Sequence, residues 1–280
     1  MKILSVQVVT LHKSSAFPTI FFSKRRITME LKNFIASGDI YDVYESDGQA
    51  IRVYQDEKYK EKCLYAALTH ARVETTLKFS SIKIPVLHEV SLIDGKWAIS
   101  MDWIEGKTLG QLIDENPDKA DMYLDKMIDI QCEIHEQYMP LLSKLKDKLA
   151  RQIKSLAQID EIKKYELLTR LDSMPKHIKL CHNNFDPDCV IINDDGTFVL
   201  NWGSARQGNA SADVAKTYLL LSLKRPNLAD KYLDKYCAKT GTSKHYVQNW
   251  LPIVAAAQLD RGIEEQKDLL MRWLDVVDWQ

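Results

Sequence analysis

The chain has 280 residues, a formal net charge of −1 and 45% hydrophobic residues, which is enough apolar material for a sizeable buried core. The near-neutral charge argues against a nucleic-acid-binding protein, because such proteins carry basic surfaces. The five cysteines are odd in number and lack a Cys-x-x-Cys spacing, so they indicate neither a disulfide framework nor a common zinc module. We therefore expect a reducing, cytoplasmic compartment. No apolar run approaches the roughly 18 residues of a membrane span.

Residues 1–28 differ in composition from the rest of the chain. They contain several lysines and arginines, and no acidic residue precedes Glu30. Their short apolar run is interrupted by Pro18, so it matches neither a secretory signal nor an amphipathic transit peptide. We predict that this segment is a leader that is disordered or not translated, with Met29 as the working start.

The segment that follows has the pattern of a small antiparallel sheet with one helix. Alternating apolar residues are interrupted by Ser37-Gly38, Asp47-Gly48 and Asp94-Gly95, which are typical turn sequences between strands. A stretch with helical spacing lies between the second and third of these turns. The predicted elements are three strands between residues 31 and 53, a helix over 57–79, and two strands over 86–90 and 97–103.

The second half of the chain is mostly helical in pattern. Apolar residues recur three or four apart between Asp118 and Tyr138, which predicts a helix with one buried face. Two short apolar runs flank Asp194-Asp195-Gly196, which predicts a hairpin. The predicted elements are helices over 118–138, 141–157 and 160–172, hairpin strands over 190–192 and 198–200, and further helices interrupted at Pro226, Gly241 and Gly262.

The most informative stretch reads Cys-His-Asn-Asn-Phe-Asp-Pro-Asp-Cys at 181–189 and is followed twelve residues later by Asn201-Trp202-Gly203. It resembles the aminoglycoside phosphotransferase and choline kinase family, which has His-Gly/Asn-Asp-Phe/Leu-His/Asp-Pro-x-Asn and then Ile-Asp-Trp. The resemblance covers roughly residues 29 to 275. Because five motifs match in the same order, it is specific. The other four are the turn Ala36-Ser37-Gly38, the strand motif at 50–54, a hinge-like segment at 98–106 and a helix start at 207–215.

The resemblance implies an α+β, two-lobed protein-kinase-like fold. The N-terminal lobe would be a small antiparallel sheet over 29–104, and the mostly helical C-terminal lobe would span 105–280 with a catalytic-loop hairpin at 180–203. It also implies ATP or another nucleotide as the cofactor, bound by Gly38, Arg52, Met101 and Trp103. Arg52 stands where the family has a lysine, so it keeps the charge with a different geometry.

Three positions of the catalytic motif have lost the residues on which the family's chemistry depends. In the family one Asp accepts the hydroxyl proton, while an Asn and a second Asp hold Mg²⁺. The matching residues here are Asn184, Cys189 and Asn201. A neutral amide is no proton acceptor, sulfur is a poor magnesium ligand, and an amide oxygen lacks the charge of a carboxylate. We therefore expect Mg²⁺ to bind weakly or not at all.

Other residues of the motif have structural interpretations. We expect His182 to brace the loop, and Asp213 to pin the loop and cap the following helix. A soft-metal cluster of Cys181, His182 and Cys189 is disfavoured, because adjacent side chains point apart. The long-helix glutamate that would pair with Arg52 is not identified. Its spacing falls near His70 or Ala71, and the nearest downstream acid is Glu74.

These observations predict a pseudokinase, which is catalytically impaired and acts by binding a nucleotide, a small metabolite or a protein partner. No nucleic-acid or membrane partner is indicated. The alternative is an active ATP-dependent phosphotransferase acting on a small-molecule hydroxyl, with Asp186 or Asp188 replacing a lost acid. Nucleotidyl transfer is a third hypothesis, but it would still require metal ligands that the motif lacks.

Overall fold

The structure is a computed structural model that describes residues 31–274. The predicted leader, 1–28, lies outside the described residues. The described chain has a five-stranded antiparallel sheet at its N-terminal end and a mostly helical C-terminal part. The predicted α+β, two-lobed fold class is therefore confirmed. None of the helices within 31–274 combines the length and the apolar content that crossing a membrane requires.

The strands are β1 (Asn33–Ser37), β2 (Tyr41–Ser46), β3 (Gln49–Tyr54), β4 (Ile82–Lys83), β5 (Leu87–Ile93), β6 (Lys96–Asp102), β7 (Lys179–Cys181), β8 (Val190–Asn193), β9 (Gly196–Val199) and β10 (Arg206–Gly208). The helices are α1 (Lys60–Thr76), α2 (Leu109–Glu115), α3 (Ala120–Glu136), α4 (Leu145–Ser155), α5 (Glu161–Ser173), α6 (Ala210–Lys224), α7 (Pro226–Thr240), α8 (Lys244–Gln248), α9 (Leu251–Leu259) and α10 (Glu264–Leu274). Helix α1 is shorter than predicted, because 57–59 form a 3-10 turn capped by Asp56 and Leu77 is extended.

The N-terminal sheet has the order β1-β2-β3-β6-β5, and each neighbouring pair is antiparallel. The β2–β3 turn has positive φ at both central residues, Asp47 (53°) and Gly48 (76°), as tight hairpins with an Asp-Gly sequence require. Helix α1 packs Cys63 and Ala67 onto one face of the sheet. This packing fixes β3, which carries Arg52, beside the middle of α1.

The C-terminal lobe is built around α9, which is buried on every side, as expected for a helix without a polar face. Helix α9 contacts α4, α6 and α10. Helix α6 begins at Asn209, whose side chain accepts a hydrogen bond from the Ser211 N–H at 2.9 Å. The expectation that Asp213 caps this helix is wrong, because Asp213 lies farther into α6 and its carboxylate binds the catalytic loop.

Two small sheets position the segment 182–189, which matches the catalytic loop of the family motif and is called the catalytic loop for that reason. Strands β8 and β9 form the predicted hairpin, and β4 adds a parallel strand to β9. Strands β7 and β10 pair antiparallel, with Cys181 opposite Arg206. The loop, 182–189, therefore lies between β7 and the hairpin, and both of its ends are held by strands.

Candidate functional site

Asp213 fixes the catalytic loop from the C-terminal lobe. Its carboxylate is buried and accepts hydrogen bonds from the backbone N–H groups of His182 at 3.0 Å and Asn183 at 2.5 Å. The Nε2–H of His135 donates to it at 3.0 Å. Burial alone would raise the pKa of Asp213, but the hydrogen bonds, above all that from His135, leave this pKa lowered. An ionised, fully bonded carboxylate thus holds the loop.

His182 is buried beneath the loop. Its Nε2 lies 2.8 Å from the carbonyl oxygen of Leu200 and donates to it, while Nδ1 has no partner within the described residues. The ring packs edge-on against Phe185 and Trp202, with centroids 5.6 and 4.9 Å apart. Burial lowers the pKa of His182, so the ring is neutral. These contacts connect the loop to the end of β9.

A continuous series of contacts runs along the edge of the hairpin, from Arg52 through Asn201 and Cys189 to Asn184. The Nη2 of Arg52 donates to Oδ1 of Asn201, and Nδ2 of Asn201 donates to Sγ of Cys189 at 3.4 Å. The Cys189 thiol donates to the backbone carbonyl of Asn184 at 3.2 Å. Burial, and then the nearby Asp186 carboxylate, raise the pKa of the Cys189 thiol, which therefore stays neutral. The structure thus brings the strand arginine against Asn201, one of the two positions where the family motif has metal ligands, and Asn201 in turn contacts Cys189, the other.

Arg52 has no acidic partner on α1 within the described residues. Its guanidinium carbon lies 5.3 Å from the ring centroid of Tyr41, in addition to the bond to Asn201. Glu74, the nearest acid considered from the sequence, accepts a hydrogen bond from the Leu87 N–H at 2.9 Å. The strand arginine is therefore held by an aromatic ring and an amide.

Asp186 and Asp188 are engaged by cations at the end of α6. The Nζ of Lys224 lies 2.7 Å from Asp186 and 3.0 Å from Asp188. The Nη2 of Arg225 lies 3.1 Å from Asp188 and 2.7 Å from Asp114. Burial alone would raise the pKa of Asp188, but Arg225 and Lys224 leave this pKa lowered. Both loop carboxylates are therefore paired. This includes Asp186, even though it lies beside Cys189, one of the family's metal positions.

The predicted Gly-rich turn is closed on itself and tied to the other lobe. The Gly38 N–H donates to the carbonyl of Tyr41 at 2.9 Å, so this amide is used inside the turn. A Cβ at Gly38 would lie 3.2 Å from the same carbonyl oxygen. Asp39 forms an ion pair with Arg261, just beyond α9. The turn therefore lies across the cleft between the lobes.

Met101 and Trp103 are not among the residues that line the cleft cavities. Met101 is buried in the core of the N-terminal lobe. The indole N–H of Trp103 donates to Glu105 at 3.0 Å. Neither side chain lines the cavities that contain Arg52 or Gly38. Of the four residues predicted to bind a nucleotide, Arg52 and Gly38 face the interlobe cleft.

The interlobe cleft contains a cavity of about 660 Å³ that Arg52, Asn184 and Asn201 line. A neighbouring cavity of about 310 Å³ shares Asn184 and Lys148 with it. Five basic and only two acidic side chains line the larger cavity, although the whole chain has a net charge of −1. These charged residues are Arg52, Lys62, Lys148, Arg151, Arg206, Glu61 and Asp260.

Sequence reasoning missed the basic residues of α4 and β10. Lys148 and Arg151 lie one turn apart within the predicted helix at 141–157, a spacing that is equally typical of a solvated face. Arg206 lies in a three-residue strand that periodicity does not reveal. Within residues 31–274, no group of three or more His, Cys, Asp or Glu side chains is placed to hold a metal ion.

Comparisons with known proteins agree with this fold. A scan against protein-family models finds no match, and a search of curated proteins finds no significant match. Solved structures match over nearly the whole described chain. An apo thermostable mutant of the aminoglycoside phosphotransferase APH(4)-Ia has a TM-score of 0.64 at 12% identity, covering 87% of this chain and 92% of its own.

Two further structures extend the likeness to both branches of the family. The GDP and kanamycin complex of APH(2")-IIia has a TM-score of 0.57 at 14% identity, covering 90% of this chain and 93% of its own. A choline/ethanolamine kinase family protein from Mesorhizobium loti has a TM-score of 0.52 at 10% identity, covering 90% and 86%. The resemblance predicted from the motifs is therefore confirmed at the level of the fold.

Proposed function

We propose that this chain, which has the fold of aminoglycoside phosphotransferases and choline kinases, is catalytically impaired. It binds a nucleotide or another small metabolite in the interlobe cleft, and it does so without Mg²⁺. The observation that carries the proposal is the contact series Arg52–Asn201–Cys189. The residues at the family's metal positions bind each other and a cation, and neither carries a negative charge.

The donor chemistry at this edge does not fit Mg²⁺. The ion prefers hard anionic oxygens in octahedral geometry. Asn201 has one neutral oxygen, and the Arg52 guanidinium already donates to it. A divalent cation at this oxygen would have a positive charge as its neighbour, which is repulsive. Burial raises the pKa of the Cys189 thiol, and sulfur is in any case a soft donor that suits Mg²⁺ poorly.

Base catalysis is also poorly supported. Asn184 is partly exposed and faces the cleft, but its amide cannot accept the proton of a hydroxyl nucleophile. An active phosphotransferase would need Asp186 or Asp188 as a replacement. Their ion pairs with Lys224 and Arg225 stabilise both carboxylates where they are, so a new role would have to break buried or half-buried charge pairs.

The test is calorimetry of ATP binding to the full chain, with Mg²⁺ and with EDTA, together with a phosphate-transfer and hydrolysis assay. We expect ATP affinity to differ by less than about tenfold between the two conditions. We expect turnover far below about 1 per second, the lower end for kinases. Ordinary kinase turnover, or a Mg²⁺ effect well above tenfold, would support an active phosphotransferase instead.

The same experiment separates a ligand-binding protein from a pure interaction module. The cleft predicts measurable nucleotide binding, because Arg52 retains guanidinium N–H groups beyond the one that binds Asn201. If neither ATP nor ADP, AMP or GDP binds in either buffer, the nucleotide proposal is wrong. Binding of another small metabolite or of a protein partner would then be the roles left to test.

A further inference from the structure

The C-terminal lobe forms one wall of the cleft. This wall carries a group of positive charges that lie outside the catalytic loop. Lys148 and Arg151 come from α4, and Arg206 comes from β10. Within the described residues, none of the three forms an ion pair with an acidic side chain. Lys224 and Arg225, at the end of α6, by contrast form ion pairs with Asp186 and Asp188. We call these three residues the basic wall.

Arg206 is the fixed member of the basic wall. It is only 6% exposed, and its Nη1 donates to the carbonyl oxygens of Ser204 at 3.0 Å and Ala205 at 2.6 Å. Its guanidinium carbon lies 4.6 Å from the ring centroid of Tyr65. The Nε is buried without a partner in the described structure. A buried cation with no opposing carboxylate projects its charge into the cavity beside it.

Lys148 is the second member and lies at the junction of the two cavities. Its side chain is partly buried, and its amine forms no hydrogen bond or ion pair within residues 31–274. Burial, and then the positive charges of Arg206, Arg261 and Arg151, lower the pKa of Lys148 to about 7. An amine under this much repulsion would be stabilised by a nearby anion.

Nothing in the catalytic loop offsets this charge. Asn184, Cys189 and Asn201 are neutral, and Asp186 and Asp188 are paired on the side of α6. Glu61 and Asp260 also line the cavity, but they are two acidic side chains against five basic ones, and the Asp260 carboxylate is held by Ser155 at 2.8 Å and Gln152 at 3.3 Å. The cleft as a whole therefore favours a ligand that is negatively charged.

We propose that the basic wall of Lys148, Arg151 and Arg206 is a subsite for the phosphate groups of an anionic small molecule. Arg206 supplies a fixed charge, while Lys148 and Arg151 have free donors for phosphate oxygens. A ligand with protonated amines, such as an aminoglycoside, is repelled by the same charges. This inference rests on the proposed function in one respect, that the cleft is a ligand site.

The test uses inorganic pyrophosphate as the probe and the full chain in EDTA, with binding measured by calorimetry. Wild type is expected to bind with a Kd of about 1 mM or lower. Lys148→Met and Arg151→Met should each weaken binding by about tenfold or more, the range for a hydrogen bond to a charged group. Kanamycin, used as a cationic probe, should not bind.

Lys154→Met is the matched control, because Lys154 is exposed on the same helix and lines a different cavity. It should leave pyrophosphate affinity within about twofold. An equal loss in Lys154→Met would place the anion on the other side of α4 and overturn the inference. A loss confined to Arg52→Met would place pyrophosphate at the strand arginine, which overturns the basic wall but leaves the proposed function standing.

Proton linkage gives a second readout. An anion beside Lys148 raises its pKa, so binding near pH 8 should take up more protons in wild type than in Lys148→Met, measured in two buffers of different ionisation enthalpy. Equal uptake in the two proteins would contradict the proposal. The charged groups that face Lys148 are Arg151 on α4, Arg206 on β10, Lys216 on α6, and Asp260 and Arg261 beyond α9, all present in both proteins.

Failure of this inference differs from failure of the proposed function. If ATP binds without a Mg²⁺ effect but pyrophosphate does not bind, the basic wall is wrong and the proposed function stands. If pyrophosphate binds through Lys148 and Arg151 while the enzyme assay shows ordinary kinase turnover, the inference stands and the impairment proposal is wrong. Tighter binding of kanamycin than of pyrophosphate would overturn the inference directly.

Discussion

The two sides of the catalytic loop differ in how they are held. On the buried side, Asp213 accepts hydrogen bonds from two loop amides and from His135. On the cleft side, Asn201 bonds to Arg52 and makes a long contact of 3.4 Å to Cys189. The buried side is a complete network around one ionised acid, whereas the cleft side is a set of neutral groups around one cation.

This difference means that the residues that hold the loop are distinct from those at the family's catalytic positions. A buried, ionised carboxylate must keep all its partners, since an unpaired charge in the interior is costly. Asn184 and Asn201 are partly exposed, so exchanging an acid for an amide at these two positions costs little stability. A chain of this fold can therefore lose its acids on the cleft side and still hold the loop in the same conformation.

The largest expected effect is on the buried side. Asp213→Ala should lower the free energy of unfolding by about 3–5 kcal/mol, because it leaves two loop amides and the Nε2 of His135 unpaired. Denaturant titration measures it. Since the pKa of Asp213 is lowered in the folded state, this contribution is complete above its ordinary pKa of 3.8 and is lost as pH falls through the lowered value.

Asn184→Ala is the control for this prediction. Asn184 is partly exposed on the cleft side, and its side chain forms no hydrogen bond within the described residues. Its removal should change stability by less than about 0.5 kcal/mol. If Asn184→Ala costs as much as Asp213→Ala, the two sides of the loop are not energetically distinct and the comparison is wrong.

The second effect concerns ligand affinity on the cleft side. Arg52→Met should weaken ATP binding by about 1.5–3 kcal/mol, the range for a hydrogen bond to a charged group. The fold should persist, because the Arg52 guanidinium faces the cleft, where it bonds to the Asn201 amide and lies over the Tyr41 ring. Calorimetry gives the affinity and circular dichroism the fold, with the exposed Lys78→Met as control. Unchanged affinity with an intact fold would place the ligand elsewhere.

A third experiment changes the cleft side toward the family motif. The triple variant Asn184→Asp, Cys189→Asn and Asn201→Asp restores a base and two oxygen ligands. We expect Mg²⁺ to improve its ATP affinity by more than about tenfold, or about 1.4 kcal/mol, and wild type to lack this effect. The single Asn201→Asp variant is the check if the buried Cys189 position does not tolerate an amide. No gain in either variant would mean that other parts of the cleft also exclude the metal.

Sequence patterns predicted the elements that are defined locally. The turns Asp47-Gly48 and Asp94-Gly95 have the positive φ angles that their residue types favour, and the strands beside them follow. Strand β4 was not predicted, because two residues carry no periodicity and only their pairing with Thr197 and Phe198 of β9 defines the strand. Helix α2, β7 and β10 are short elements of the same kind, stabilised by tertiary contacts.

The site, like the fold, was predictable only where residues close in sequence define it. The hairpin pattern places Asn201 close to Cys189, because antiparallel strands return the chain to its starting point. The contact between Arg52 and Asn201 joins residues 149 positions apart, and only the docking of the two lobes creates it. The basic wall depends on α4 and β10 packing together, so no motif could indicate Lys148 and Arg206 as neighbours.

The smallest effect concerns the unliganded basic wall. Lys148→Met should raise the free energy of unfolding near pH 7 by up to about 1 kcal/mol, because it removes a cation that Arg206, Arg261 and Arg151 repel, although partial solvation limits the gain. The pKa of Lys148 in the folded state, about 7, lies below its ordinary value of 10.5. The unfolded chain therefore binds more protons here than the folded one between these two values, and the wild-type free energy of unfolding rises with pH across this window. The stability difference between Lys148→Met and wild type should therefore shrink from pH 7 to pH 10, whereas Lys154→Met should track wild type throughout. If Lys148→Met is less stable than wild type, the packing of this side chain contributes more to stability than the repulsion of its charge removes.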